Sequence, residues 1–196
     1  TLFMTVLFLN RMGQKYRRQD WIDESIHQVL MHIKYLCDRR TGLFYHGWTF
    51  NEKNNFGGVF WCRGNSWFTL GILDYIDMFE GSMNAGLKTF VVDTYKAQTE
   101  KLKELQDPKT GLWHTVLTDP DSYVETSGTA AIAAGILKGI RYGILDDSYL
   151  PCAAKAIQGI LNNIDEDGTV LQVSGGTGMG LSLIHISEPT RRVVIS

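Results

Sequence analysis

The sequence predicts an all-α fold of stacked helical hairpins, and three observations carry that expectation. Helical segments of two kinds alternate along the chain, the loops that join them repeat, and 196 residues with 44% hydrophobic and 20% charged residues can bury a sizeable core. Hairpins that always place the same member inside build a solenoid or a closed ring of two concentric helix layers. Long Gly- and Trp-rich loops at one end favour the ring, whose inner helix ends surround a cavity.

The first segment, residues 1–12 (TLFMTVLFLNRM), is apolar nearly all round, as are residues 65–79 (NSWFTLGILDYIDMF) and 126–142 (TSGTAAIAAGILKGIRY). Helices of that composition are buried on most sides and are read as the inner layer. Between them lie amphipathic segments with apolar residues at helical spacing. One carries Ile22, Ile26, Val29, Ile33 and Leu36; a weaker one carries Val91, Tyr95, Leu102 and Leu105; the last carries Ala153, Ile157, Ile160 and Ile164. These are expected outside, with one face in water. The chain thus supplies about three hairpins, half of a six-hairpin ring, with an apolar seam at either side.

The loop after each outer helix repeats. DRRTGLFYH begins at Asp38, DPKTGLWHT at Asp107, and a degenerate copy, DEDGTVLQV, at Asp165. Asp opens a turn through its side-chain oxygen, Gly42 or Gly111 supplies a positive φ, and a short β-prone stretch follows.

Charge and composition exclude several partner classes. Lys plus Arg number 19 against 21 acidic residues, and a net charge of −2 offers no electrostatic footprint for nucleic acid or an anionic membrane. No apolar run approaches the roughly 20 residues of a membrane helix. The chain starts inside an apolar run without an initiator Met and reads as a piece of something longer. Cys37, Cys62 and Cys152 are an odd number at unrelated spacings, which points to reduced thiols and a reducing compartment rather than a disulfide framework or a zinc site.

The densest cluster that could carry chemistry is Phe60-Trp61-Cys62-Arg63-Gly64-Asn65-Ser66-Trp67, leading into a buried helix. Arg63 and Trp67 are four apart and share a helix face. A guanidinium beside an indole suits a carboxylate on a flat or apolar ring, because Arg supplies a planar donor fork and Trp a stacking surface. Equally, Trp61 and Trp67 fit a core role and Arg63 the satisfaction of helix-end carbonyls or of a buried acid. His46, in Tyr45-His46-Gly47-Trp48, reads either as a proton-handling group at the cavity mouth or as a surface loop histidine. His27 and His32 are five apart, wrong for one-face metal binding, and no metal site is read. Asp74 and Asp77 lie on a buried helix, and Glu125 stands where an inner helix begins, fitting simple compensation of the helix dipole. No two carboxylates stand out as the acid and base of a conventional glycosidase. The stretch from Ser174 to Gly180 lacks the GK[ST] ending of a phosphate loop.

Taken together and in order, TLFM at the start, GLFYHGW, FWCRGNSW, ETSGTA and VSGGTG resemble glycoside hydrolase family 105, the unsaturated rhamnogalacturonyl hydrolases, related to the unsaturated glucuronyl hydrolases of family 88. The resemblance runs from Thr1 to about Gly180. It implies an (α/α)6 barrel, in agreement with the hairpins, and an activity on the unsaturated uronic acid left at the non-reducing end of pectin fragments by polysaccharide lyases. In that chemistry one aspartate protonates C4 of the C4=C5 double bond and activates water for addition at C5, so a single carboxylate serves as acid and base in turn. No cofactor is implied, and the partner is an unsaturated oligosaccharide.

By the same resemblance His46 matches the family's active-site histidine, Trp61 and Trp67 match aromatic walls of the sugar pocket, and Arg63 matches the arginine that faces the substrate. The family's catalytic aspartate stands immediately before TLFM, one residue before Thr1, so the 196-residue chain is expected to be inactive. Residues 1–180 are read as a partial barrel domain. Residues 181–196 begin with LSLIHISEPTR, which resembles the conceptual translation of a sequencing adapter, and are read as a non-native tail. Two alternatives stand beside the leading one: another (α/α)6 sugar enzyme, such as a saturated-sugar hydrolase or epimerase, and a non-catalytic helical toroid that binds glycans.

Overall fold

The computed structural model describes residues 2–175 and the strands Pro189–Thr190 and Val193–Val194. A π-helical turn, Leu2–Val6, runs into α1 (Leu7–Lys15), followed by α2 (Gln19–Leu36), α3 (Cys62–Asp77), α4 (Ala85–Leu105), α5 (Thr126–Arg141) and α6 (Leu150–Leu161). Short strands edge the helix ends: β1 (Trp113–His114) pairs antiparallel with β2 (Val124–Glu125). β3 (Thr169–Val170) pairs with β6 (Val193–Val194), and β4 (Val173–Ser174) with β5 (Pro189–Thr190). The all-α expectation and the three hairpins α1/α2, α3/α4 and α5/α6 stand; the π-turn was not expected. The adapter-like stretch from Leu181 and the Gly-rich run 176–180 lie outside the described residues except for β5 and β6.

Layering follows composition. α3 buries nine of its residues, among them Phe68, Ile72, Leu73 and Tyr75, and α5 buries eight, including Ile132, Ala133 and Ile136. These two inner helices pack at very short range because Gly135 presents no side chain: a Cβ there would lie 2.6 Å from the Thr69 carbonyl oxygen. The outer helices bury one stripe each, Ser25, Val29 and Ile33 in α2, and Val91, Tyr95, Gln98, Thr99 and Leu102 in α4. Two large polar side chains of this core are paired across elements: Tyr95 Oη donates to the Gly135 carbonyl at 2.9 Å, and Trp113 Nε1 to that of Leu102 at 2.7 Å.

Two details differ from the sequence reading. In α6 the buried stripe is Cys152, Ala153, Ala156 and Gly159, whose small side chains admit close contact, while Ile157 and Leu161 turn outward and Ile164 lies beyond the helix in a bridge to Val170. In the first inner segment Met4 and Phe8 are each 64% exposed, so burial on most sides holds for α3 and α5 but not for α1. Exposed apolar side chains stand on α1, Phe8 among them, and on α6, with Ile157 and Leu161.

The repeated loops fold alike. In the first, the amide of Asp38 donates to the Leu43 carbonyl, Gly42 N to the Asp38 carbonyl, and Thr41 Oγ1 to the Asp38 carboxylate. In the second, Asp107, Leu112, Gly111 and Thr110 repeat those bonds. Gly42 and Gly111 have φ of 72° and 76°. The residue after each turn is then held by the next inner helix: Phe44 N donates to Asn65 Oδ1 at 2.7 Å, and Trp113 N to Thr129 Oγ1 at 3.0 Å. Asn65 and Thr129 both stand three residues into their helices.

Candidate active site

The N-terminal ends of α3 and α5 lie side by side and form the floor of the site. Gly128 makes this possible, because a Cβ there would come within 2.7 Å of Cys62 Sγ and 3.0 Å of Arg63 N. The approach to α3 is extended, with Trp61 at φ −73°, ψ 127°, and is pinned to the second loop by Cys62 N to Thr115 O and Leu117 N to Phe60 O, both 2.9 Å.

Three of the four expected site residues form one continuous stack. The His46 ring stands edge-on to Trp61, with centroids 5.1 Å apart at 80°. On Trp61 lies the Arg63 guanidinium, 4.9 Å from the ring centroid. Trp61 is 7% exposed, and its buried Nε1 has no hydrogen-bond partner among the described residues. His46 is half-buried, and burial pulls its pKa below the ordinary value, so the ring is neutral at neutral pH and can either donate or accept a hydrogen bond. Trp67 sits one turn further along α3 and lines a narrow crevice with Val6, Leu7 and Val29, on the α1 side.

Arg63 is held firmly. One Nη donates to the Ser174 carbonyl at 2.7 Å and reaches Ser127 Oγ at 3.4 Å; the other donates to the Gly175 carbonyl at 2.5 Å. Carbonyl satisfaction is therefore part of its role, through β4 rather than through a helix end. A cavity of about 520 Å³ opens beside His46, lined by His27, His32, Tyr35, Trp48, Phe50 and Phe56. Cys62 is fully buried, and burial together with the nearby Glu125 charge pushes its thiol well up, which removes it as a nucleophile. Among the described residues no group of three His, Cys, Asp or Glu side chains could hold a metal ion, and no helix is long and apolar enough to cross a membrane.

The sequence model of Glycosyl Hydrolase Family 88 matches residues 1–194. The chain belongs to that family. This family 88 chain is 34% identical over 180 residues to the unsaturated rhamnogalacturonyl hydrolase YesR of Bacillus subtilis (strain 168), a match covering 91% of this chain and 49% of that protein. It is 29% identical over 180 residues to the unsaturated 3S-rhamnoglycuronyl hydrolase of Formosa agariphila, covering 86% and 47%. Among solved structures it is similar to a possible member of the GH105 family from Salmonella enterica serovar Paratyphi A, with TM-score 0.93 and 39% identity over 98% of this chain and 51% of that one. A similar protein from Klebsiella pneumoniae gives TM-score 0.91 at 40% identity, covering 97% and 50%. The chain spans about half the length of the relatives it matches.

One residue of this family 88 chain is tied in more tightly than its sequence reading, compensation of the helix dipole, requires. Glu125 is fully buried at the N-cap of α5. A signal was present: N-caps are normally Ser, Thr, Asp or Asn, and a Glu there reaches further than capping needs.

Proposed function

We propose that this chain forms part of a hydrolase that removes an unsaturated uronic acid from the non-reducing end of lyase-generated rhamnogalacturonan oligosaccharides. The observation that carries the reading is the His46–Trp61–Arg63 stack at the N-terminal end of α3, in a chain of a family whose relatives bear the names of such enzymes. Arg63 offers a fixed positive charge for the uronate carboxylate, Trp61 offers an apolar wall for the ring, and neutral His46 orients a hydroxyl or water, while Trp67, in its crevice on the α1 side, is given no part in binding.

Water adds across C4=C5, with the proton going to C4 and the hydroxyl to C5. The resulting hemiketal opens, the bond from C1 to the glycosidic oxygen breaks, and the rest of the oligosaccharide leaves. This needs one carboxyl group as acid and then base. Glu125 is buried and engaged in hydrogen bonds, and Asp74 is paired with Lys138 at 2.6 Å, so neither is available for it. On the resemblance to family 105, the carboxylate is assigned to an aspartate immediately before Thr1, and the 196 residues by themselves are assigned no activity. The seams on α1 and α6 are assigned to further hairpins of a six-hairpin ring.

In a longer protein containing this chain, incubation with an unsaturated rhamnogalacturonan disaccharide should abolish the ultraviolet absorbance of the conjugated double bond. Changing the aspartate before Thr1 to Asn should reduce the rate by at least about 10³-fold. Full activity of that variant, or a different residue at that position, overturns the mechanism.

Residues 181–196 are proposed as an adapter-derived tail on residues 1–180. Against this stand the β3–β6 and β4–β5 pairings. A genomic read across the 180/181 junction decides it, and the same residues found there would refute the assignment.

A further inference from the structure

We infer that Glu125 is a positioning residue for the uronate site, fixing the orientation of Arg63 through two separate bridges. This rests on the reading that Arg63 receives the substrate carboxylate. The first bridge is Ser127: its hydroxyl donates to Glu125 Oε1 at 2.6 Å and lies 3.4 Å from an Arg63 Nη. The second is Ser174, whose amide donates to the same Glu125 oxygen at 3.1 Å while its carbonyl accepts from Arg63 at 2.7 Å. Meanwhile Oε2 accepts from Gly128 N at 2.5 Å, capping α5.

One buried carboxylate thus ties together a helix start, a loop 49 residues further along and, through both, the arginine. Glu125 shares the fixing of this loop with other contacts, among them the pairing of β4 with β5. The loop is laced to α5 by Thr126 N to the Gln172 carbonyl and Thr126 Oγ1 to the Leu171 carbonyl, at 2.9 and 2.7 Å, and Gln172 adopts a left-handed φ of 54°. A guanidinium whose carbonyl partners are fixed loses little freedom when a carboxylate arrives, so the clamp contributes to substrate affinity by preorganisation.

Capping and positioning separate cleanly in Glu125→Asp. Asp is among the preferred N-caps and can still serve the amides of Ser127 and Gly128. Being one methylene shorter, it cannot also reach Ser174 N. In the longer hydrolase, E125D should keep Tm within about 2 °C and kcat within about twofold, while KM for the unsaturated disaccharide rises about tenfold. Arg63→Ala should raise KM more, and E125D added to R63A should raise it no further, since both act through one guanidinium. A wild-type KM in E125D, or a full multiplicative effect on the R63A background, overturns the inference.

Should R63A itself leave KM unchanged, the uronate reading of Arg63 fails, and the clamp is then judged without activity. The Arg63 guanidinium protons should give slowly exchanging signals in ¹H–¹⁵N NMR spectra of the wild type that are lost in E125D. Their persistence in E125D refutes the clamp. Ser127→Ala, which removes one bridge only, should fall between wild type and E125D in both KM and exchange; equality with wild type in both refutes that bridge.

Discussion

The turn that opens at Asp165 is a shorter, degenerate copy of those that open at Asp38 and Asp107, set in different surroundings. Gly42 and Gly111 lie against the next outer helix in the chain: a Cβ on Gly42 would stand 2.6 Å from the Ala97 carbonyl carbon in α4, and one on Gly111 would collide with the Lys155 carbonyl in α6. Gly168, with φ 83°, has no such neighbour among the described residues. The same contrast separates α3 and α5, which bury nine and eight of their residues, from α1 and α6, whose Phe8 and Leu161 are 64% and 56% exposed. Turn chemistry is thus written locally in the Asp and Gly of each loop, whereas the helix that presses on the turn is supplied by the ring.

The contrast can be broken by substitution. In the 196-residue chain, Gly42→Ala and Gly111→Ala should each cost about 3 kcal/mol in urea unfolding, from left-handed backbone strain plus a backbone clash. Gly168→Ala should cost about 1 kcal/mol, from strain alone. In a longer protein that closes the ring, the third turn gains its own outer helix and the gap should narrow to nothing. Equal losses in the 196-residue chain would show that local strain, not packing, distinguishes these positions.

A smaller effect is expected at the α6 seam. Leu161→Lys should change the unfolding free energy by no more than about 0.5 kcal/mol and reduce self-association of the 196-residue chain in sedimentation, because it interrupts an exposed apolar stripe. Unaltered association would remove that stripe as its cause.

Much of the fold was legible because its determinants are short-range. The helical period in α2, the Asp-x-x-Thr-Gly turns and the apolar inner segments α3 and α5 each encode structure within about 15 residues of sequence. α6 was legible as a helix but misread in its orientation, since Ile157 looked like core while Ala153, Ala156 and Gly159 do the packing. Small residues are chosen by the neighbour they admit, and that neighbour, α5, is not in the local pattern. At the site, Trp61 and Arg63 were visible as adjacent residues, whereas their fixation was not. Ser174 lies 111 residues from Arg63, and no periodicity links the two. Glu125 was read as compensation of the helix dipole, which its bond to Gly128 supports; its second function depends on a loop brought back by the α5/α6 hairpin.

The central claim is that the Arg63 guanidinium, stacked on Trp61 and fixed by β4, receives a uronate carboxylate. Calorimetric titration of the longer protein with galacturonate tests it directly. The account predicts that Arg63→Ala weakens binding by at least about tenfold without lowering it for a neutral sugar such as rhamnose. Equal affinity for galacturonate in wild type and R63A would contradict it.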